Sequence, residues 1–217
     1  MDIILLGPPG VGKGTQGVML SEKMGWERLV TGDLLRVAKD AGTELGVQAQ
    51  QYMTAGNLVP DQLIIKMVEE KRSTLSPGTG VIYDGFPRTE AQAAAFHLML
   101  EALGRTIDRV VVLEAPDQVL TERISGRRSC LKCGSVYNIV FDPPKKEGVC
   151  DHDGTPLFHR ADDQADTVRN RLDVYRRETE PLISYFEESK AIVHRIPSEE
   201  GPDVVQAKVR EALGLGE

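Results

Sequence analysis

A glycine-rich turn wedged between an apolar run and a helical pattern constrains this chain more than any other feature. Ile3–Thr15 reads IILLGPPGVGKGT. Ile3–Leu6 has the unbroken apolar character of a buried strand, Gly7–Gly12 cannot continue it, and from Lys13 the apolar spacing turns helical. A strand, a glycine turn and a helix N-terminus in that order make an anion cradle, because the turn and the first helical residues present unpaired backbone N–H groups. Gly7, Gly12 and Lys13 fit G-x-x-x-x-G-K, the phosphate-loop pattern, which sets the Lys13 ammonium to reach the outer phosphates. The generic pattern continues with Ser or Thr. Here Gly14 precedes Thr15, which weakens the usual assignment of a hydroxyl to magnesium.

A chain of 217 residues is one large domain, or a core carrying insertions, and is long enough to enclose a sheet. Its formal charge of -7 argues against non-specific nucleic-acid binding but allows a local basic pocket. The N-terminus has no secretory pattern and no stretch is suited to spanning a bilayer, so a cytoplasmic location is expected. Three cysteines fit thiols or a metal site in a reducing compartment better than a disulfide framework.

Along the chain, Lys13–Met24 reads as a helix stopped by Gly25, and Trp26–Val30 as a short strand. Thr31–Ala41 and Thr43–Ala55 read as helices, each with a threonine suited to N-capping. Gly42 and Gly56 stand where helices end in a left-handed residue. Pro60 and Asp61 start another helix with Leu63, Met67 and Val68 on its apolar side. Val81–Asp84 is a buried strand ending in a carboxylate, Thr89 opens a helix to Leu103, Arg109–Glu114 is a strand and Asp117–Ser125 a helix. From Arg127 to His159 helical periodicity vanishes and all three cysteines appear, which marks an inserted module. Helix resumes near Asp163 and is interrupted near Pro181. Ala191–Ile196 is the last strand, and Pro202 begins a final helix. Alternating strands and helices predict a parallel sheet covered on both faces, with sites at the strand C-terminal ends.

The arginines cluster around the joints of the insertion. Arg123, Arg127 and Arg128 lead into it, Arg160 leaves it, and Arg169 and Arg171 follow. Arg36 and Arg88 lie nearer the N-terminus. A guanidinium fork suits phosphate oxygens; for each of these residues alone a solvated salt bridge is the commoner role, and their clustering at the joints shifts the balance towards function. Asp84 can face a magnesium shell or merely cap a turn. Thr89 and Gln92 have capping-box spacing, so Gln92 either closes a helix end or contacts a ligand.

Within the insertion, Cys130 and Cys133 form C-x-x-C, and Cys150 and Asp153 form C-x-x-D. The spacing matches a zinc ribbon in which each pair occupies a tight turn, with Gly134 and Gly154 supplying the unusual backbone angle. Three thiolates and one carboxylate fill a tetrahedron and leave no place for substrate, so the zinc would be structural. His152 is the rival fourth ligand.

Several segments resemble the adenylate kinase family: GPPGVGKGTQ (Gly7–Gln16), TGDLLR (Thr31–Arg36), DGFPRT (Asp84–Thr89), GRR (Gly126–Arg128) and RADD (Arg160–Asp163). The match is collinear over nearly the whole chain, and the Gly14-Thr15 departure is that family's own form. The resemblance implies the α/β P-loop NTPase fold, a five-stranded parallel sheet flanked by helices. It implies core segments at 1–29, 60–126 and 160–217, an AMP-binding helical insert at 30–59 and a zinc-ribbon-like lid at 127–159. The reaction implied is reversible transfer between Mg-ATP and AMP, giving two ADP. Gly10, Val11, Gly12, Lys13, Gly14 and Thr15 would cradle the ATP phosphates, with Val136 and Tyr137 beside the adenine. Thr31, Arg36, the backbone of Asn57, Leu58 and Val59, then Gly85, Phe86, Pro87, Arg88 and Gln92, would hold AMP. Arg88, Arg123, Arg127, Arg160 and Arg171 would clamp the reacting phosphates, Lys13 would follow the transferred group, and Asp84 would lie on the magnesium side. Some lids of this family hold zinc, with an Asp among the ligands of some members. A backbone contact to ATP falls somewhere near Glu199–Gly201.

ATP, AMP and ADP are thus the expected partners, Mg2+ and structural Zn2+ the expected metals, and a monomer that binds neither nucleic acid nor membrane the expected form. A UMP/CMP or GMP kinase of the same fold is the near alternative. An ATP-binding protein carrying a zinc-ribbon nucleic-acid module is the alternative from another class, and Lys132, Lys145, Lys146 and Tyr137 are a thin supply for it. A simple ATPase would leave the second set of arginines without a purpose.

Overall fold

The computed structural model describes residues 1–189 and 191–216. The run after Met1 forms β1 (Asp2–Leu6), with all five residues buried. The phosphate-loop turn leads to α1 (Lys13–Met24), then β2 (Glu27–Val30), α2 (Thr31–Asp40), α3 (Glu44–Ala55) and α4 (Asp61–Ser73). Next come β3 (Val81–Asp84), α5 (Glu90–Ala102), β4 (Arg109–Glu114) and α6 (Asp117–Ser125). The insertion holds β5 (Arg127–Cys130), β6 (Val136–Asn138) and β7 (Leu157–Phe158). A 3-10 turn (Ala161–Asp163), α7 (Ala165–Val174), a π-helical turn (Tyr175–Thr179), α8 (Leu182–Glu188), β8 (Val193–Pro197) and α9 (Pro202–Ala212) complete the chain.

Five strands form one sheet in the order β2-β3-β1-β4-β8, every neighbouring pair parallel. Successive side chains along a strand point to opposite faces, and here both faces are covered. Ile4, Leu6, Val110 and Val112 pack with Phe96, Leu182 and Phe186 on one face, while Ile3, Leu5, Val111 and Leu113 pack with Leu20, Leu120 and Val209 on the other. That is why these strands read as unbroken apolar runs. Full burial of one such side chain contributes about 1.5–3 kcal/mol, so a charge in place of Val111 would break the sheet's centre. The strands' C-terminal ends all open on one side, where the phosphate-loop turn, Asp84 and Ser198 emerge.

The helix ends follow the chain's punctuation, with one exception. Thr43 caps α3 by accepting from the Gly46 N–H at 3.1 Å. Thr89 caps α5 by accepting from the Gln92 N–H at 3.2 Å. Gly25, Gly42, Gly56 and Gly104 carry positive φ at the stops. The expected N-cap at Thr31 is corrected. β2 runs directly into α2, extended Val30 takes the cap position, and the Thr31 hydroxyl donates instead to the Gly85 carbonyl at 2.8 Å. With no loop between strand and helix, Thr31 is already inside the first turn and its side chain is free to cross to the neighbouring β3 end. The Phe86-Pro87 peptide is cis.

The insertion has its own three-stranded antiparallel sheet, ordered β6-β5-β7, over a small core of Cys130, Tyr137 and Cys150 with Leu157 against it. Asn138 ties it to the main body, with Nδ2 donating to the Arg123 carbonyl at 2.9 Å. No helix of the described residues is long and apolar enough to cross a membrane.

Candidate active site

A cleft of about 1420 Å3 opens above the strand C-terminal ends, between the α2–α3 arm and the three-stranded module. Its floor is the phosphate-loop turn, whose Gly7, Gly10 and Gly12 all take positive φ. Lys13 begins α1 and donates to the carbonyls of Gly7 at 2.6 Å and Pro8 at 2.9 Å. Burial lowers its pKa to about 7 against the opposing pull of Asp84, and the nearby guanidinium groups push the same way as burial. Asp84 ends β3 almost covered, with its Oδ2 3.7 Å from where a Cβ on Gly14 would lie and 3.8 Å from Arg28 Nη2.

Five guanidinium groups converge on this floor. Arg88 Nε donates to the Gly85 carbonyl at 2.7 Å, sharing that acceptor with Thr31. Arg127 forks onto Asp163, with Nε 2.8 Å from Oδ2 and Nη2 bonded to Oδ1. Arg171 Nη1 reaches Asp162 Oδ2 at 2.9 Å and Asp163 Oδ1 at 3.0 Å. Arg160 Nε donates to the Ser129 hydroxyl at 2.8 Å, and Arg123 Nη1 to the Ser198 carbonyl at 2.8 Å. Burial and then the charge of a neighbouring arginine lower both Arg88 and Arg160 to about 10. Arg127 moves the other way: burial would lower it, but its hydrogen bonds to Asp163 and the nearby carboxylate charges together outweigh that. Asp162 is held below its usual range because Arg171 and Arg127 outweigh its burial. The cleft is thus a self-repelling cation cluster that an oligophosphate would relieve.

Of the nucleotide-handling residues expected from the sequence, Gly10–Thr15, Thr31, Arg36, Asn57–Val59, Asp84, Gly85, Pro87, Arg88, Gln92, Arg123, Arg127, Val136, Tyr137, Arg160 and Arg171 all line this cleft. Phe86 does not. Its ring is 1% exposed and packs edge-on against Phe96 at 5.2 Å, so its side chain belongs to the core. Arg36 pairs with Asp33 one turn earlier on α2. Gln92 proves to be a helix-end residue as well as a cleft residue: its Oε1 accepts from the Arg88 N–H at 2.8 Å and its Nε2 donates to Asp61 at 2.7 Å. Arg128 turns to the Ser125 and Arg127 carbonyls and is not part of the lining.

Sequence reasoning did not assign roles to Asp162, Asp163, Arg28 or Ser198. The two carboxylates two and three residues after Arg160 were the available signal for the first pair. Ser198 follows β8 and donates to the Val11 carbonyl at 2.9 Å, and Gln16 Nε2 donates to the Pro202 carbonyl at 3.0 Å. These bonds bring residues 198–202 beside the phosphate loop.

The chain agrees with a model of adenylate kinase over residues 5–191. The chain belongs to the adenylate kinase family. It is 45% identical to the adenylate kinase of Caldicellulosiruptor bescii over 215 residues, covering 99% of this chain and 100% of that one. It is 46% identical to that of Trichlorobacter lovleyi over 98% and 99% of the two chains, and 49% identical to that of Methanosarcina acetivorans over 89% of each. Adenylate kinases are ATP:AMP phosphotransferases, nucleoside monophosphate kinases that use Mg2+ with ATP. Neither the other base specificities nor the nucleic-acid reading is favoured by these matches.

A second cluster lies in the inserted module of this kinase. The ligand atoms of Cys130, Cys133, Cys150 and Asp153 all fall within 4.8 Å of one another, and exposed His152 is not among them. Two turns of matching form build it. The Gly134 N–H donates to the Cys130 carbonyl at 3.2 Å and the Gly154 N–H to the Cys150 carbonyl at 3.0 Å, each glycine at positive φ. Cys133 Sγ and Cys150 Sγ are 3.5 Å apart, and Cys130 Sγ is 3.5 Å from Asp153 Oδ2. A tetrahedron with Zn–S of about 2.3 Å and Zn–O of about 2.0 Å has edges of about 3.5–3.8 Å, so this donor set fits zinc.

Proposed function

We propose that the cleft holds ATP and AMP end to end, with the phosphate loop under the donor and the α2–α3 arm around the acceptor. The observation that carries this reading is the convergence of Arg88, Arg123, Arg127, Arg160 and Arg171 above a single phosphate loop. That is more positive charge than one triphosphate requires, and it lies between the two halves of the cleft. Residues 30–59 act as the AMP-binding segment and residues 127–159 as a lid. Val136 forms part of the wall beside the adenine of ATP, and residues 199–201 supply backbone to the same nucleotide.

An AMP phosphate oxygen is already an anionic nucleophile, so no side chain needs to remove a proton. Lys13 follows the transferred phosphoryl group, and the guanidinium forks hold its equatorial oxygens while donor and acceptor stay in line. Magnesium bound with ATP would neutralise phosphate charge, and Asp84, facing the start of α1 beside Gly14, would be the carboxylate on its side. Closure of the lid over both nucleotides excludes water as a competing acceptor. Cys130, Cys133, Cys150 and Asp153 would hold zinc, which would stiffen the lid and take no part in transfer. The protein works as a monomer in a reducing, cytoplasmic setting.

A coupled assay for ADP, run with and without AMP and then with GMP, UMP and CMP, tests this. Turnover dependent on AMP and weak with the other monophosphates is expected. ATP consumption at the same rate without any monophosphate would overturn the two-nucleotide reading.

A further inference from the structure

The residue expected beside the adenine of ATP has its polar end elsewhere. Tyr137 lies in the middle of β6, and its neighbours alternate as a strand requires. Val136 and Tyr137 both border the cleft, but Val136 is 47% exposed while Tyr137 turns inward at 8% exposure. Its ring fills the small core with Cys130, Cys150 and Leu157. Its hydroxyl is 3.6 Å from Cys150 Sγ, and the backbone N–H of Asp151 donates to the hydroxyl oxygen at 2.9 Å.

We propose that Tyr137 is a positioning residue of the metal seat, its hydroxyl donating to the Cys150 thiolate and fixing that sulfur for the metal. The inference rests on the zinc reading given above. The direction of the bond follows from the partners. The phenol oxygen already accepts from Asp151, and a metal-binding cysteine carries no proton, so the only proton available between the two atoms is the phenol's. A hydrogen bond to a thiolate spreads its charge and locks its orientation, and such outer partners support metal affinity by about 10- to 100-fold. Ser135 Oγ lies 3.0 Å from Cys133 Sγ one residue before β6 begins, with the sulfur as the donor. β6 therefore carries the metal seat's support on its inner face, part of the cleft wall at Val136 and the Asn138 bond to the Arg123 carbonyl.

Tyr137→Phe removes one oxygen and keeps the ring. The Asp151 amide it strands is on an exposed residue and can turn to water. Zinc affinity is measured on the full chain by competition with a chelator of known affinity, and the thiolate-to-metal charge-transfer band is recorded with Co2+ in place of zinc. The expected result is zinc binding weaker by about tenfold or more, with a shifted cobalt band. Leu157→Ala thins the same small core without touching a sulfur. It is expected to lower the melting temperature and leave the cobalt band in place, which separates packing from hydrogen bonding. Affinity within twofold of the parent and an unmoved band in Tyr137→Phe would overturn the proposal while leaving the zinc reading intact. A parent chain that binds no zinc would overturn both.

Discussion

Asp163 grips Arg127 through two parallel hydrogen bonds while its own carboxylate is wholly buried. Arg171 Nη1 reaches one of the same two oxygens, Oδ1, at 3.0 Å. One anion thus aims two of the guanidinium groups proposed to act on phosphate. Asp163→Asn keeps the shape and removes the charge. The expected result is a fall in turnover of at least tenfold together with a loss of about 3 kcal/mol in chemical denaturation, since it leaves two buried cations short of a partner. Unchanged turnover would show that the arginines find their positions without it.

Lys13 offers a pH signature. Its pKa is about 7 in the folded protein and 10.5 as a free side chain, the drop caused first by burial. Below pH 7 both folded and unfolded chains hold the proton. Between 7 and 10.5 only the unfolded chain does, so the destabilising effect of burying Lys13 fades as pH rises through that window. Lys13→Met is expected to flatten the rise of melting temperature over this range. An anionic nucleotide reverses the shift, so binding at pH 8.5 should take up about one proton, measured calorimetrically in buffers of different ionisation enthalpy. No uptake would contradict the assignment.

Asn170 of α7 fastens the α2–α3 arm proposed to hold the acceptor. Asn170 Nδ2 donates to the Ala55 carbonyl at 2.7 Å and to Asn57 Oδ1 at 3.0 Å. Gly56, at φ +76°, lies so close that a Cβ there would come within 2.9 Å of Arg171 Cγ. Asn170→Ala is expected to raise KM for AMP about fivefold, the equivalent of about 1 kcal/mol, with KM for ATP nearly unchanged. Equal changes in both constants would remove the arm-specific role.

At the opposite end of the sheet, Asp2 pairs with Arg105, and the Tyr83 hydroxyl lies 3.2 Å from its other oxygen. Burial, reinforced by the Asp2 charge, pushes the Tyr83 pKa well above its ordinary value. Asp2→Asn is expected to lower stability by about 3 kcal/mol while kcat stays the same, because the cleft is at the other ends of these strands. A matching loss of kcat at a temperature where the variant is folded would count against this separation.

Metal removal has its own outcome. Chelation is expected to lower the melting temperature and release about one zinc per chain, with activity persisting below the new midpoint. Full stability in chelator with no metal detected would refute the structural-zinc reading.

The elements carried by local signals were legible in the sequence. Lys13–Met24 and Asp117–Ser125 have the bounds their punctuation predicts, and the apolar runs of β1, β3 and β4 identified the sheet's interior. Thr31 misled because a threonine at a helix start looks the same whether it caps that helix or bonds to a neighbouring strand end. The pairing of Arg127 with Asp163 and the approach of Ser198 to Val11 cross 36 and 187 residues, and no spacing rule reaches that far. The cysteine seat was legible because its ligands come in two local pairs. The inward turn of Tyr137 was not, since strand alternation in a three-residue strand has no register until its partner is known.

The joints of the inserted module lie at Arg127 and Arg160, and both of those guanidinium groups face the cleft. Any swing of the flap about these joints carries ionic charge as well as bulk. On the proposed reading of this module as a lid, lifting it would thin the positive field over the phosphates as a path to solvent opens, so the grip on product would slacken with the movement that lets product leave.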